Sequence, residues 1–185
     1  MNKNNAIRSL CLSAMIAAIY AALTMALPML SYGPVQLRFS EALTVLPFLF
    51  PQAIPGLFLG CAISNILSAY GIVDVVFGSL ATLLAALWTS RVKNPWLAPL
   101  PPVLCNAVII GAEIAWYETG FGPGFGAAFA WNGFTVGIGE LATCYLLGMI
   151  VLCQLPKIPF FRSLIPEDRL SRLPERKAKG KQAAS

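Results

Sequence analysis

The stretch Glu41–Ala69, EALTVLPFLFPQAIPGLFLGCAISNILSA, carries no charge after its first residue. As one straight helix it would extend about 43 Å, well past the ~30 Å hydrocarbon layer of a bilayer. Pro51 and Pro55 lie inside it, and a proline there removes a backbone donor and clashes with the preceding turn. The stretch therefore divides into Glu41–Phe50 and Gln52–Ala69. The first piece would be only about 15 Å long as an α-helix. That length predicts a short or partly re-entrant span shielded by its neighbours.

The surrounding chain has the same character. It has 185 residues, 57% of them hydrophobic and 11% charged, with a mean hydropathy of +0.71. Soluble domains carry about 25% charged residues. A soluble globular protein, a disordered chain and a secreted disulfide module are all excluded, and a polytopic membrane protein is indicated. Further spans are predicted at Ser9–Leu30, Val73–Ser90, Leu97–Trp116 and Ala127–Leu155. The N-terminus opens like a signal peptide, but its apolar run is long and no cleavage site follows, so it reads as a retained first helix.

Charge sets the expected topology. Residues 9–156 hold three basic and five acidic side chains, a net −2; the other 37 hold ten basic and three acidic, a net +7, which gives the +5 of the whole. Lys3 and Arg8 precede the first span, Arg91 and Lys93 follow the Val73–Ser90 span, and eight Lys or Arg lie in the tail from Lys157. Positive residues favour the cytoplasmic side. Both ends inside requires an even number of spans, which six satisfies and five does not. The expectation is an all-α membrane protein of six transmembrane helices. It has a cytoplasmic N-terminus over 1–8, a membrane domain over 9–155, and a basic, solvated, disordered cytoplasmic tail over 156–185.

Several chemistries are missing. There is no histidine, and Cys11, Cys61, Cys105, Cys144 and Cys153 form no CxxC pair, so no metal site, cofactor or nucleophile–base pair is expected. No catalytic residue is assigned. No GxxxxGK[ST] loop occurs for phosphates. The basic residues flank membrane segments rather than forming a folded basic patch, so no nucleic-acid partner is expected.

Ionisable groups at membrane depth are costly and by default mark a functional site. Glu113 lies well inside its helix, with Asn106 two turns earlier on the same face. Glu140 lies inside the last span. Glu41 and Asp74 open their helices and could act as dipole-stabilising acids there, while Arg38 could form a structural bridge to Glu41. The candidate substrate-binding set is Arg38, Glu41, Asp74, Asn106, Glu113 and Glu140. An anion pocket wants several Arg or Lys donors. This acid-rich, base-poor body suits a cation or a donor-rich heterocycle, because a carboxylate accepts two hydrogen bonds side by side. Tyr32, Tyr70, Tyr117, Phe121 and Trp131 could stack on such a ring or sit as interfacial aromatics. The glycine-rich outer loop Tyr117–Gly126 reads as a candidate lid or as a plain connector.

Small residues at helical spacing form two stripes, Ala14–Ala18–Ala22 and Gly56–Gly60–Ser64. Such stripes let helices approach closely, either within the bundle or against a second membrane protein.

Four motifs carry a resemblance: QLRFSEALTVLP at Gln36–Pro47, DVVFGSLATLLAA at Asp74–Ala86, LAPLPPVLCN at Leu97–Asn106 and GIGEL at Gly137–Leu141. Over Arg8–Leu155 the chain resembles the QueT family of queuosine-precursor transporters, substrate-binding S components of energy-coupling factor (ECF) transporters. The resemblance implies six transmembrane helices in the bacterial cytoplasmic membrane and a pocket near the outer face for a 7-deazaguanine precursor. It also implies a first-helix alanine face, here Ala14, Ala18 and Ala22, that docks on a transmembrane coupling subunit of the EcfT type. Two cytoplasmic ATPase subunits of the EcfA type complete the assembly it implies. An S component for another vitamin or nucleobase, or an autonomous cation-coupled transporter, remains compatible with the residues.

Overall fold

The computed structural model describes residues 3–28, 37–68 and 70–173. Tyr32 with the rest of the first outer loop up to Gln36, the Leu30 end of the first predicted span, Ala69, and the tail from Pro174 lie outside the described residues.

The chain is all-helical, with no strand among the described residues. Helix α1 runs Lys3–Ala26, and a 3₁₀ segment follows at Phe39–Phe48. Then come α2 (Ala53–Asn65), α3 (Ile72–Arg91) and α4 (Leu100–Thr119). Helix α5 (Phe125–Ala142) passes through a π-helical stretch, Thr143–Gly148, into α6 (Met149–Gln154). Two single-turn helices close the described chain, α7 (Pro159–Arg162) and α8 (Glu167–Leu170). Among the described residues four helical runs are long and apolar enough to cross a membrane: Ala6–Ala26, Ile72–Arg91, Pro95–Thr119 and Phe125–Lys157. Phe39–Phe48 and Ala53–Asn65 are shorter apolar helices.

The division at Pro51 is present, with one change of geometry. The short piece is a 3₁₀ helix rather than an α-helix. Pro47 inside it and Pro51 just after it deny the ladder two donors, and the Thr44 hydroxyl donates to the Glu41 carbonyl. At about 2.0 Å per residue the ten residues span about 20 Å. Eight of the ten are buried. The element threads the middle of the bundle, against α1, α2, α3, the π-helical stretch and α6.

Around it, consecutive helices pack in chain order: α1 on α2, α2 on α3, α3 on α4, α4 on α5. The two alanine-and-glycine stripes have different fates. Gly56, Gly60 and Ser64 are buried, and a Cβ on Gly56 or Gly60 would strike the α1 backbone at Ser13 or Ala17. That stripe is internal packing. Ala14, Ala18 and Ala22 lie on the opposite face of α1 and are exposed.

The tail departs from expectation over its first part. Ile165 and Leu170 are buried in the main apolar core with Phe48, Leu49 and Phe50. Arg169 donates to the Pro47 and Phe48 carbonyls at 2.9 and 3.0 Å, and Arg172 to the Val92 carbonyl at 3.2 Å. Two leucine-type anchors and two backbone-capping arginines hold residues 157–173 against the bundle. Charge composition alone concealed this, because the same arginines read as solvated.

Candidate substrate site

The 3₁₀ helix brings Arg38 and Glu41 inward from its N-terminal end. Glu41 is 1% exposed and Arg38 6%. The Arg38 guanidinium lies 4.0 Å from the Glu41 carboxylate and 3.8 Å from the Cys61 sulfur on α2. The Tyr20 hydroxyl, from the buried face of α1, donates to the same Glu41 oxygen. Thr24, one turn on, pairs with Ser40 at 2.6 Å.

Helices α2 and α3 supply the next part. Asn65 Nδ2 donates to the Asp74 carbonyl at 3.0 Å and lies 3.4 Å from the Asp74 carboxylate. Gly78 makes room for this pair, since a Cβ there would collide with both side chains. Asp74 sits in the first turn of α3, as expected, and is buried. Gly71, just before that helix, has φ +62°, a conformation that side-chain-bearing residues adopt only with strain.

Helices α4 and α5 complete the arrangement. Asn106 and Glu113 share the buried face of α4. The Asn106 amide adjoins the carboxylates of both Glu41 and Glu140. Glu140 lies one turn before Cys144, whose thiol is 3.5 Å from the Glu140 carboxylate and 3.5 Å from the Glu41 carbonyl. Here the π-helical stretch faces the 3₁₀ helix: a Cβ on Gly148 would meet Val45 and Ala42. Long 3₁₀ runs and π-helical turns are uncommon and tend to mark functional positions.

All six candidate residues are buried. Among the described residues the buried ionisable Asp, Glu, Lys and Arg side chains are these five: Arg38, Glu41, Asp74, Glu113 and Glu140. Arg38 lies within electrostatic reach of all four acids. Several acceptors in the group have no hydrogen-bond partner: Glu41 Oε2, Asn65 Oδ1, Asp74 Oδ2 and both oxygens of Glu113. The group is thus short of donors. No cluster of three or more His, Cys, Asp or Glu suited to a metal ion occurs among the described residues.

The aromatic candidates separate from it. Tyr70 and Tyr117 pack on each other, ring centroids 4.8 Å apart, and the Tyr117 hydroxyl donates to the Tyr70 carbonyl at 2.6 Å. Burial raises the Tyr70 phenol above its ordinary pKa, with Glu118, Asp74 and Glu113 adding to the effect. Phe121 is 85% exposed and Trp131 66%, which suits interfacial aromatics. The candidate lid is shorter than expected. Helix α4 continues through Thr119 and α5 starts at Phe125, leaving Gly120–Gly124 between them.

A family model described as QueT transporter matches residues 10–157. The chain belongs to the QueT transporter family. The match runs through every element of this site, from Tyr20 to Cys144. The chain is also similar to the queuosine precursor transporter QueT of Lactococcus lactis subsp. cremoris (strain MG1363), 46% identical over 72 residues. That alignment covers 38% of this chain and 42% of the relative, so less than half of the relative's length is spanned. No solved structure matches.

For this QueT-family chain, the apolar helices describe a multi-pass membrane protein. Tyr20 and Asn65 were not singled out from the sequence. Tyr20 belongs to the face Ser13, Ile16, Ala17, Tyr20 and Thr24, all buried, and a polar tip on that face was the available signal. Asn65 follows Cys61 by one turn, an amide deep in an apolar run.

Proposed function

We propose that this QueT-family chain is the substrate-binding S component of an ECF-type importer. It captures a queuosine precursor of the 7-deazaguanine type outside the cell. The observation that carries the reading is the donor-poor acidic cluster. Unpartnered buried acceptors are costly, and a ligand rich in N–H groups would satisfy them. The N–H and NH₂ edge of a deazaguanine suits one carboxylate, and an aminomethyl group suits a second. Glu113 and Asp74 offer the bare oxygens, while Arg38 and Asn106 hold Glu41 and Glu140 and can face a ring carbonyl. The family membership and the name of the Lactococcus relative support the substrate class.

Six spans with both termini cytoplasmic fit the even count demanded by the positive residues. The turn after the 3₁₀ helix packs against the tail that follows the last span, which supports a deep hairpin rather than a shallow one. The exposed Ala14–Ala18–Ala22 face is free to dock on an EcfT-type coupling subunit, whose two EcfA-type ATPases would drive reorientation in the bacterial cell membrane. The chain itself performs no covalent chemistry.

Calorimetric titration of the purified chain against aminomethyl and cyano deazaguanines, guanine and riboflavin tests the proposal. Tight, selective binding of a deazaguanine is expected. Folded protein that binds none of them would overturn the substrate.

A further inference from the structure

At the tail end of the bundle a cavity of about 150 Å³ opens between α6 and the tail helices. Trp96, Met149, Leu152 and Leu170 give it largely apolar walls, and Lys157 and Arg162 also line it. Both cations are exposed, and neither takes part in a salt bridge among the described residues. Asp168, in the neighbouring turn, is engaged by Arg169 and Arg172 instead.

The position is as informative as the lining. Lys157 closes the membrane-length run Phe125–Lys157, and Pro95 opens the run Pro95–Thr119. The cavity therefore lies where two spans end, at the depth of lipid headgroups. Trp96 in its wall is 63% exposed, and Phe160 on the same short helix as Arg162 is 64% exposed, as expected of side chains resting in the interface. Two cations alone would attract any phosphate. Two cations at the mouth of an apolar chamber at this depth match a phosphate that carries a hydrocarbon chain.

We propose that this cavity is a binding site for an anionic phospholipid of the adjoining leaflet. The phosphodiester meets Lys157 and Arg162, and one acyl chain lies against Met149, Leu152 and Leu170. The site stands apart from the acidic cluster and owes nothing to the substrate reading.

Native mass spectrometry of the full chain from detergent micelles tests it, with dioleoyl phosphatidylglycerol and dioleoyl phosphatidylcholine added at equal concentration. The unaltered chain should retain phosphatidylglycerol in preference by about 10-fold. K157Q/R162Q should bring the ratio near one, whereas Lys93→Gln, which removes a cation outside the cavity, should leave it unchanged. Cys153→Trp fills the chamber without touching its charge and should lower retention of both lipids. It also keeps the question decidable should the double variant fail to fold. Excess glycerol 3-phosphate should not displace the lipid. Equal retention of the two lipids, an unaltered preference in K157Q/R162Q, an equal loss in Lys93→Gln, full retention in Cys153→Trp, or displacement by glycerol 3-phosphate would each overturn the site.

Discussion

Glu113 and Glu140 are both buried acids, yet their surroundings differ. Neither oxygen of Glu113 has a hydrogen-bond partner, whereas Glu140 is met by the Cys144 thiol and the Asn106 amide. An uncompensated buried carboxylate is a burden on the folded protein. Glu113→Gln should therefore leave thermal stability unchanged or raised, while weakening deazaguanine binding by about 1–3 kcal/mol. Glu140→Gln should weaken binding by a similar amount but lower the melting temperature, because it disturbs a contact already made. Calorimetry and thermal unfolding of the two variants decide this; unchanged affinity in both removes them from the site. Tyr20→Phe isolates the positioning of Glu41. It strips a donor from a buried carboxylate that Arg38 reaches only at 4.0 Å, and should lower stability by about 1–3 kcal/mol. The charged members of this group were legible in the sequence because charge at membrane depth stands out. Tyr20 and Asn65 were not, because a tyrosine or asparagine at that depth has several ordinary uses, and only the fold shows which face carries it.

Element by element, the small residues make a sharper comparison. Gly56 and Ala18 both read as members of small-residue stripes, and the fold buries the first and leaves the second exposed. A side chain at Gly56 would meet the backbone carbonyl of Ser13, which cannot swing aside. Gly56→Val should lower stability by about 1–3 kcal/mol through overpacking, read as a drop in melting temperature. Ala18→Trp, on the exposed face of the same contact helix, should leave both melting temperature and ligand affinity intact while abolishing uptake in cells that carry the coupling module. Loss of binding in that variant would refute a separate docking face. The hydropathy pattern located the later long helices to within a few residues, whereas the first begins at Lys3 rather than Ser9. It did not reveal the 3₁₀ geometry of Phe39–Phe48, since proline reports only that the α ladder is broken and not what replaces it. It missed the docking of residues 157–173 for a related reason. Sparse leucines among charges carry no strong period, and the carbonyls that Arg169 reaches belong to residues 47 and 48, more than a hundred positions away.

For the whole molecule, topology is the quantity to measure. In a C11S/C153S background, which removes the two exposed cysteines, Phe121→Cys should react with a membrane-impermeant maleimide on intact cells. Ser171→Cys should react only after permeabilisation. Labelling of both from outside would place an even number of crossings between them, where six spans with both ends cytoplasmic require one.

Helix α1 presents Ala18 outward and Tyr20 inward, two residues apart on one stiff rod. If a coupling partner grips the outer side, any tilt it imposes displaces the phenol that holds Glu41. Thermodynamic reciprocity then fixes the exchange: whatever factor the partner applies to ligand affinity, bound ligand applies to partner affinity. A loaded chain and an empty one would compete unequally for a shared motor, and the queue would be ordered by cargo without any dedicated signalling segment.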